Sequence, residues 1–127
     1  MTGSEIMNIA LDLCGLKSTS GTNVTDTADL QSRTLALLNT LLAENSILDC
    51  RIRKTEHELL QITALNNELG CSDIVAKSVL PYGLASLYML GEDDILASNL
   101  NKLYNDARKT ALTFGKAKIL PITEVYE

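Results

Sequence analysis

The chain of 127 residues has no tryptophan, one phenylalanine, one histidine and two prolines. Each scarcity excludes something. Without large aromatics, Leu, Ile, Val and Ala must fill any core. Hydrophobic residues make up 46% against 21% charged, which is enough apolar material for that core and argues against intrinsic disorder. A single histidine rules out a histidine-rich metal centre. No apolar run approaches the ~20 residues that a spanning helix needs, so the chain is expected to be soluble, without a membrane partner. Basic residues are also in deficit, 11 against 16 acidic, and the net charge of −5 offers no overall attraction to a phosphate backbone. The one dense basic patch, RIRK from Arg51 to Lys54, reads as a solvated, exposed segment. Cys14, Cys50 and Cys71 are odd in number and widely separated, with no Cys-x-x-Cys spacing, which suggests a reducing compartment and buried, inert thiols.

The length fits one domain, since compact domains most often run to roughly 100–150 residues. The opening MTGSEIMNIALDLCGL has no basic n-region, and Glu5 and Asp12 interrupt the apolar run that a secretion signal requires. The mature chain is therefore expected to begin here. LDLCG has the outline of a lipoprotein cleavage box, but Asp12 and Leu13 occupy positions that call for small neutral residues, and that reading is rejected.

What is present is helical periodicity. Ser4 or Thr2 can cap a first helix over 4–15, in which Ile6, Ile9, Ala10 and Leu13 recur on one side before Gly15 ends it. Lys17 to Asp26, rich in Ser, Thr, Gly and Asn, predicts an exposed loop. Asp26 or Thr27 starts a second helix over 27–45, with Leu30, Thr34, Leu37, Leu38, Leu41 and Leu42 in one stripe. From Ile47 to Leu65 the helical period fades, and a short strand or hairpin arm over 47–62 is expected; EHELLQITAL would also serve as a helical turn or a partly buried linker. Ser72 caps a third helix over 72–90, carrying Ile74, Val75, Val79, Leu80, Leu84, Leu87 and Tyr88. Pro81 has no N–H for the carbonyl of Lys77 and must kink that helix, while Gly83 permits a close neighbour. Gly91 supplies a left-handed stop, and Glu92, Asp93 and Asp94 sit at the positive end of a fourth helix over 94–113. That helix aligns Leu96, Leu100, Leu103, Tyr104, Ala107 and Ala111, with Arg108 and Lys109 near its negative end. The tail from Phe114 onward, with Pro121 and β-branched residues, is expected to be extended. Ile119, Leu120, Ile122, Val125 and Tyr126 make it apolar enough to dock, on its own domain or on another subunit.

Reactive constellations are not found. HELLQ, His57 to Gln61, places glutamine where a zinc peptidase helix needs its second histidine. There is no glycine-rich phosphate loop and no nucleophile set beside a base in a known local pattern. Glu92 to Asp94 lack the alternating oxygen ligands and central glycine of a calcium loop. Tyr82, Tyr88 and Tyr104 read as core or interface aromatics. The expectation is a non-enzymatic chain without catalytic, cofactor-binding or metal-ligating residues.

The run VLPYGLASLYMLGEDDILASNLNKLYNDARKTAL resembles the head–tail connector (adaptor, or head-completion) proteins of long-tailed double-stranded DNA phages. Those proteins carry an L-P-Y-G-[VL]-A segment, then an acidic turn, then a helix containing L-Y-N-x-x-[RK]. The matching positions are Leu80, Pro81, Tyr82, Gly83, Leu84 and Ala85, then Glu92 to Asp94, then Leu103, Tyr104, Asn105 and Arg108. The opening EIMNIALDLCGL is similar to the short first helix of such proteins, and the likeness thins out between Ile47 and Leu69. The resemblance implies an all-α subunit, a compact bundle of about four helices, that forms a cyclic homo-oligomeric ring beneath the portal protein. It implies that the ring extends the DNA channel, with DNA as passing cargo, and presents its other side to the tail or a stopper. A monomer in isolation is compatible with this, and the location implied is the virion, with the host cytoplasm during assembly. Ile119, Leu120, Ile122, Val125 and Tyr126 then become the expected contacts to portal or neighbour, and Arg51, Arg53 and Lys54 the expected contacts of the arm. From another class comes a small helical DNA-binding module, resembling a small terminase or a helix-turn-helix regulator, with Lys102, Arg108 and Lys109 on its recognition helix.

Overall fold

The structure, a computed structural model, describes residues 1–15 and 28–119, with side chains described for 1–15 and 32–113. Among the described residues the fold is all-α: α1 (Gly3–Leu13), α2 (Ala28–Glu44), α3 (Ser46–Arg53), α4 (Leu80–Met89) and α5 (Asp94–Ile119), with a π-helical turn (Val75–Val79) leading into α4. The loop expected over Lys17 to Asp26 and the start of α2 at Asp26 or Thr27 lie outside the described residues.

Helix α4 is the centre of the bundle. It packs against α1, α2 and α5, and Leu80, Pro81, Gly83, Leu84, Ala85, Ser86, Tyr88 and Met89 are all buried. A helix apolar nearly all round must lie inside. Around it Ile6, Ala10 and Leu11 of α1 and Leu38, Leu41 and Leu42 of α2 close the core, joined by Ala97, Leu100, Tyr104 and Ala111 of α5. At roughly 1.5–3 kcal/mol per fully buried aliphatic side chain, this contiguous cluster is the main source of stability.

The sequence signals at helix ends act as expected. Thr2 caps α1: its hydroxyl accepts from the Glu5 N–H, and the Glu5 carboxylate accepts from the Thr2 N–H. The Ser72 hydroxyl accepts from the Val75 N–H at 3.4 Å. Gly91 has φ +87, and Asp93 caps α5 by accepting from the Leu96 N–H at 3.1 Å. The distortion expected at Pro81 takes the form of a π turn, in which the Leu80 N–H reaches the carbonyl of Val75. The wider turn leaves room for the proline ring, and Pro81, in the first turn of α4, has no N–H to satisfy.

Two expectations are corrected. The strand or hairpin arm over 47–62 does not form: Ser46–Arg53 is the helix α3, with Leu48, Asp49, Cys50 and Ile52 buried. It ends on Lys54, left-handed at φ 58, and leads into a docked linker with Ile62 and Leu69 buried. The side-chain amide of Asn39 pins that linker at Ile62, donating to the Ile62 carbonyl at 3.0 Å and accepting from the Ile62 N–H at 2.9 Å. Further along, the Ser4 N–H donates to the Leu65 carbonyl at 2.8 Å and the Leu69 N–H to the Met1 carbonyl at 2.9 Å. The segment is part of the body, not a protrusion. The second correction is at the other end, where α5 continues through Gly115 to Ile119. One helical glycine costs about 1 kcal/mol, too little to end a helix resumed by Lys116, Ala117 and Lys118. Residues 120–127 lie outside the described residues.

Candidate functional site

Helix α3 lies along α5, and between them runs an open groove of about 530 Å³. Ile47 and Leu48 of α3 and Leu112 of α5 supply its apolar surface, and Ile47 is 60% exposed. Arg51, Arg108 and Lys109 also line it, against the single acid Glu44. Three cations and one anion make the groove net positive on a chain whose total is −5.

One wall of the groove is held by a polar network. Tyr104 is buried, and its hydroxyl donates to the Glu44 carboxylate while accepting from the Asn45 side-chain amide at 2.9 Å. The same amide donates to the Leu41 carbonyl at 2.9 Å, so Asn45 is tied to α2. The Arg108 guanidinium lies 5.6 Å from the centre of the Tyr104 ring and 4.0 Å from Glu44. Burial pushes the Tyr104 phenol well above its ordinary range, and the bond to Glu44 adds to this because the carboxylate needs the phenolic proton. The phenol is therefore a fixed donor.

The sequence-nominated residues separate. Arg51 is exposed and faces the groove. Arg53 turns away, donating to the buried Asp49 carboxylate at 2.8 Å and to Glu58 at 3.3 Å. Asp49 also accepts from the Ser72 N–H at 2.6 Å, which joins α3 to the approach to α4. Lys54 is exposed at the left-handed end of α3. The three basic residues are thus not one patch. Ile119 is the last residue of α5, and Leu120, Ile122, Val125 and Tyr126 lie outside the described residues. The pairing of Ile47 and Glu44 with Lys109 and Leu112 was missed; the i,i+4 pairs Leu48/Ile52 and Asp49/Arg53 were the available hint that α3 is a helix.

Potentially reactive groups occupy structural positions. The cysteines are free; Cys14 and Cys71 are desolvated, each thiol pushed up to about 11, far from the thiolate form that reacts at neutral pH. Ser46 and His57 share a hydrogen bond of 2.9 Å, but among the described residues no carboxylate orients the ring, and His57 is exposed. Among the described residues no three His, Cys, Asp or Glu side chains gather to hold a metal, and no helix is long and apolar enough to cross a membrane.

Compared with known proteins, the chain matches no family model, no curated protein and no solved structure.

Proposed function

We propose that this chain is a structural subunit of a phage head–tail connector, which assembles as a ring beneath the portal, extends the DNA channel and offers its far side to the tail or a stopper protein. The observation that carries the proposal is that the separated parts of the connector-like sequence meet in space. Gly83 of the L-P-Y-G-L-A segment sits under the Tyr104 ring, so close that a β-carbon there would lie 2.8 Å from Cε1. Arg108, four residues further along L-Y-N-x-x-R, lies over the same ring, and Glu92 to Asp94 close the turn between the two helices. The motif is a packing unit, which suits a protein that works by shape and adhesion. The positive groove beside it supplies a surface for a neighbour.

The test is to mix purified portal rings of long-tailed phages with this protein and to image the product by electron microscopy. A stacked complex in ring register supports the proposal. A protein that ignores portal rings and instead binds duplex DNA with a steep salt slope would overturn it. That second outcome belongs to the DNA-binding module, which has one observation in its favour: Lys102 and Lys109, both exposed, lie seven residues apart on one side of α5. Arg108, the third residue of that set, is engaged with Tyr104 and Glu44.

A further inference from the structure

From the groove between α3 and α5 we infer that it is the receptor for the segment Leu120–Glu127 of a second copy of this chain. The inference deepens the self-assembly part of the connector proposal and rests on it. The groove presents aliphatic surface from Ile47, Leu48 and Leu112 beneath Arg51, Arg108 and Lys109. The segment LPITEVYE has the opposite character: Leu120, Ile122, Val125 and Tyr126 are apolar or aromatic, Glu124 and Glu127 are acidic, and no residue is basic. Laid along the groove as an extended strand, Leu120, Ile122, Glu124 and Tyr126 would share one face, three side chains for the aliphatic surface and one carboxylate for the cations.

Chain geometry favours a neighbour's groove over the chain's own. Helix α5 carries the backbone from Leu112 to Ile119, roughly 10 Å past the groove at 1.5 Å per residue. To reach its own groove from that end the chain would have to reverse direction after Ile119. A neighbour's groove needs no reversal. Because donor segment and receiving groove are different surfaces, the contact is head-to-tail and builds a ring when the rotation closes.

The test uses the full-length protein and a fluorescein-labelled peptide of residues 117–127, followed by fluorescence anisotropy. Saturable binding that weakens with added salt is expected. The double variant Arg51→Glu, Lys109→Glu changes two exposed side chains, so its fold, checked by circular dichroism, should persist while peptide affinity falls by about tenfold or more. A peptide with Glu124→Lys and Glu127→Lys should recover binding to that variant. In sedimentation velocity the unmodified chain should self-associate with rising concentration, and the groove variant should not. No binding, or binding indifferent to the groove charges, overturns the inference. So does a chain that stays monomeric and binds peptide only after its own residues 120–127 are removed, since the segment would then lie in its own groove. Portal stacking separates the two proposals: a groove variant that still stacks, with no peptide binding by the native chain, removes this inference and leaves the connector role. Charge-dependent peptide binding without stacking does the reverse.

Discussion

Asp49 has a larger structural burden than its neighbours on α3. It is 3% exposed and accepts from both the Arg53 guanidinium and the Ser72 N–H, so one carboxylate joins α3, the linker and the approach to α4. Asp49→Ala should destabilise the protein by about 3 kcal/mol, because it strands a partly buried N–H and removes the partner of a partly buried cation. Asp49→Asn, which keeps an acceptor, should lose roughly half of that, and thermal unfolding of both variants decides the point. Tyrosine burial has a consequence for pH. Burial pushes the Tyr88 phenol up to about 12, opposed by its hydrogen bond with Thr34, and Tyr104 is raised as well. The folded protein keeps protons that the unfolded chain releases near pH 10, so this stabilisation is complete below pH 10 and is lost as pH rises towards 12. For Tyr88 the loss amounts to about 2–3 kcal/mol over that window. Alkaline unfolding followed by circular dichroism should show it, and Tyr88→Phe should flatten the decline.

Helix positions and their contacts were legible to different degrees. α2 and α5 announce themselves through long aliphatic stripes, and Thr34, Leu38, Leu41, Leu42, Leu100, Tyr104 and Ala111 lie where those stripes predict. Leu103, included in the α5 stripe, is 46% exposed, whereas Ala97 is 5% exposed, so the buried face is rotated from the one the spacing suggests. α3 escaped notice because eight residues are too few for a periodic signal and too few to be stable alone. Its helicity depends on partners distant in sequence. α4 and α5 approach closely at Gly83, and Gly83→Ala tests that contact. A β-carbon at Gly83 would lie 2.8 Å from Tyr104 Cε1 and 3.0 Å from Leu41 Cδ2, and Tyr104 is held in place by Asn45 and Glu44. Alanine improves helix propensity by about 1 kcal/mol, but overpacking should outweigh this for a net loss of about 1–2 kcal/mol. A melting temperature equal to or above that of the unmodified protein would show that the two helices can separate freely.

On the scale of the whole molecule, the body and the chain end should be separable. The described core closes without residues 120–127, so ending the chain at Ile119 should leave the thermal midpoint within about 2 °C of the full-length value while abolishing both self-association and portal stacking. A large fall in the midpoint would mean that the segment belongs to the core. By itself, the order of residues determined the mostly helical character, a first cap at Ser4 or Thr2, the cap at Ser72, the acidic start of α5, the stop at Gly91 and the distortion at Pro81. Each of these is set by backbone preferences or by hydrogen bonds within a few residues. Only the tertiary structure decided that Ser46–Arg53 is a helix and that the linker after it is docked, because Asn39 meets Ile62 and Asp49 meets Ser72 across 23 positions. The groove likewise exists only once α3 lies on α5: Arg51 and Lys109 are far apart in the chain, and charge complementarity between surfaces depends on distances that folding alone creates.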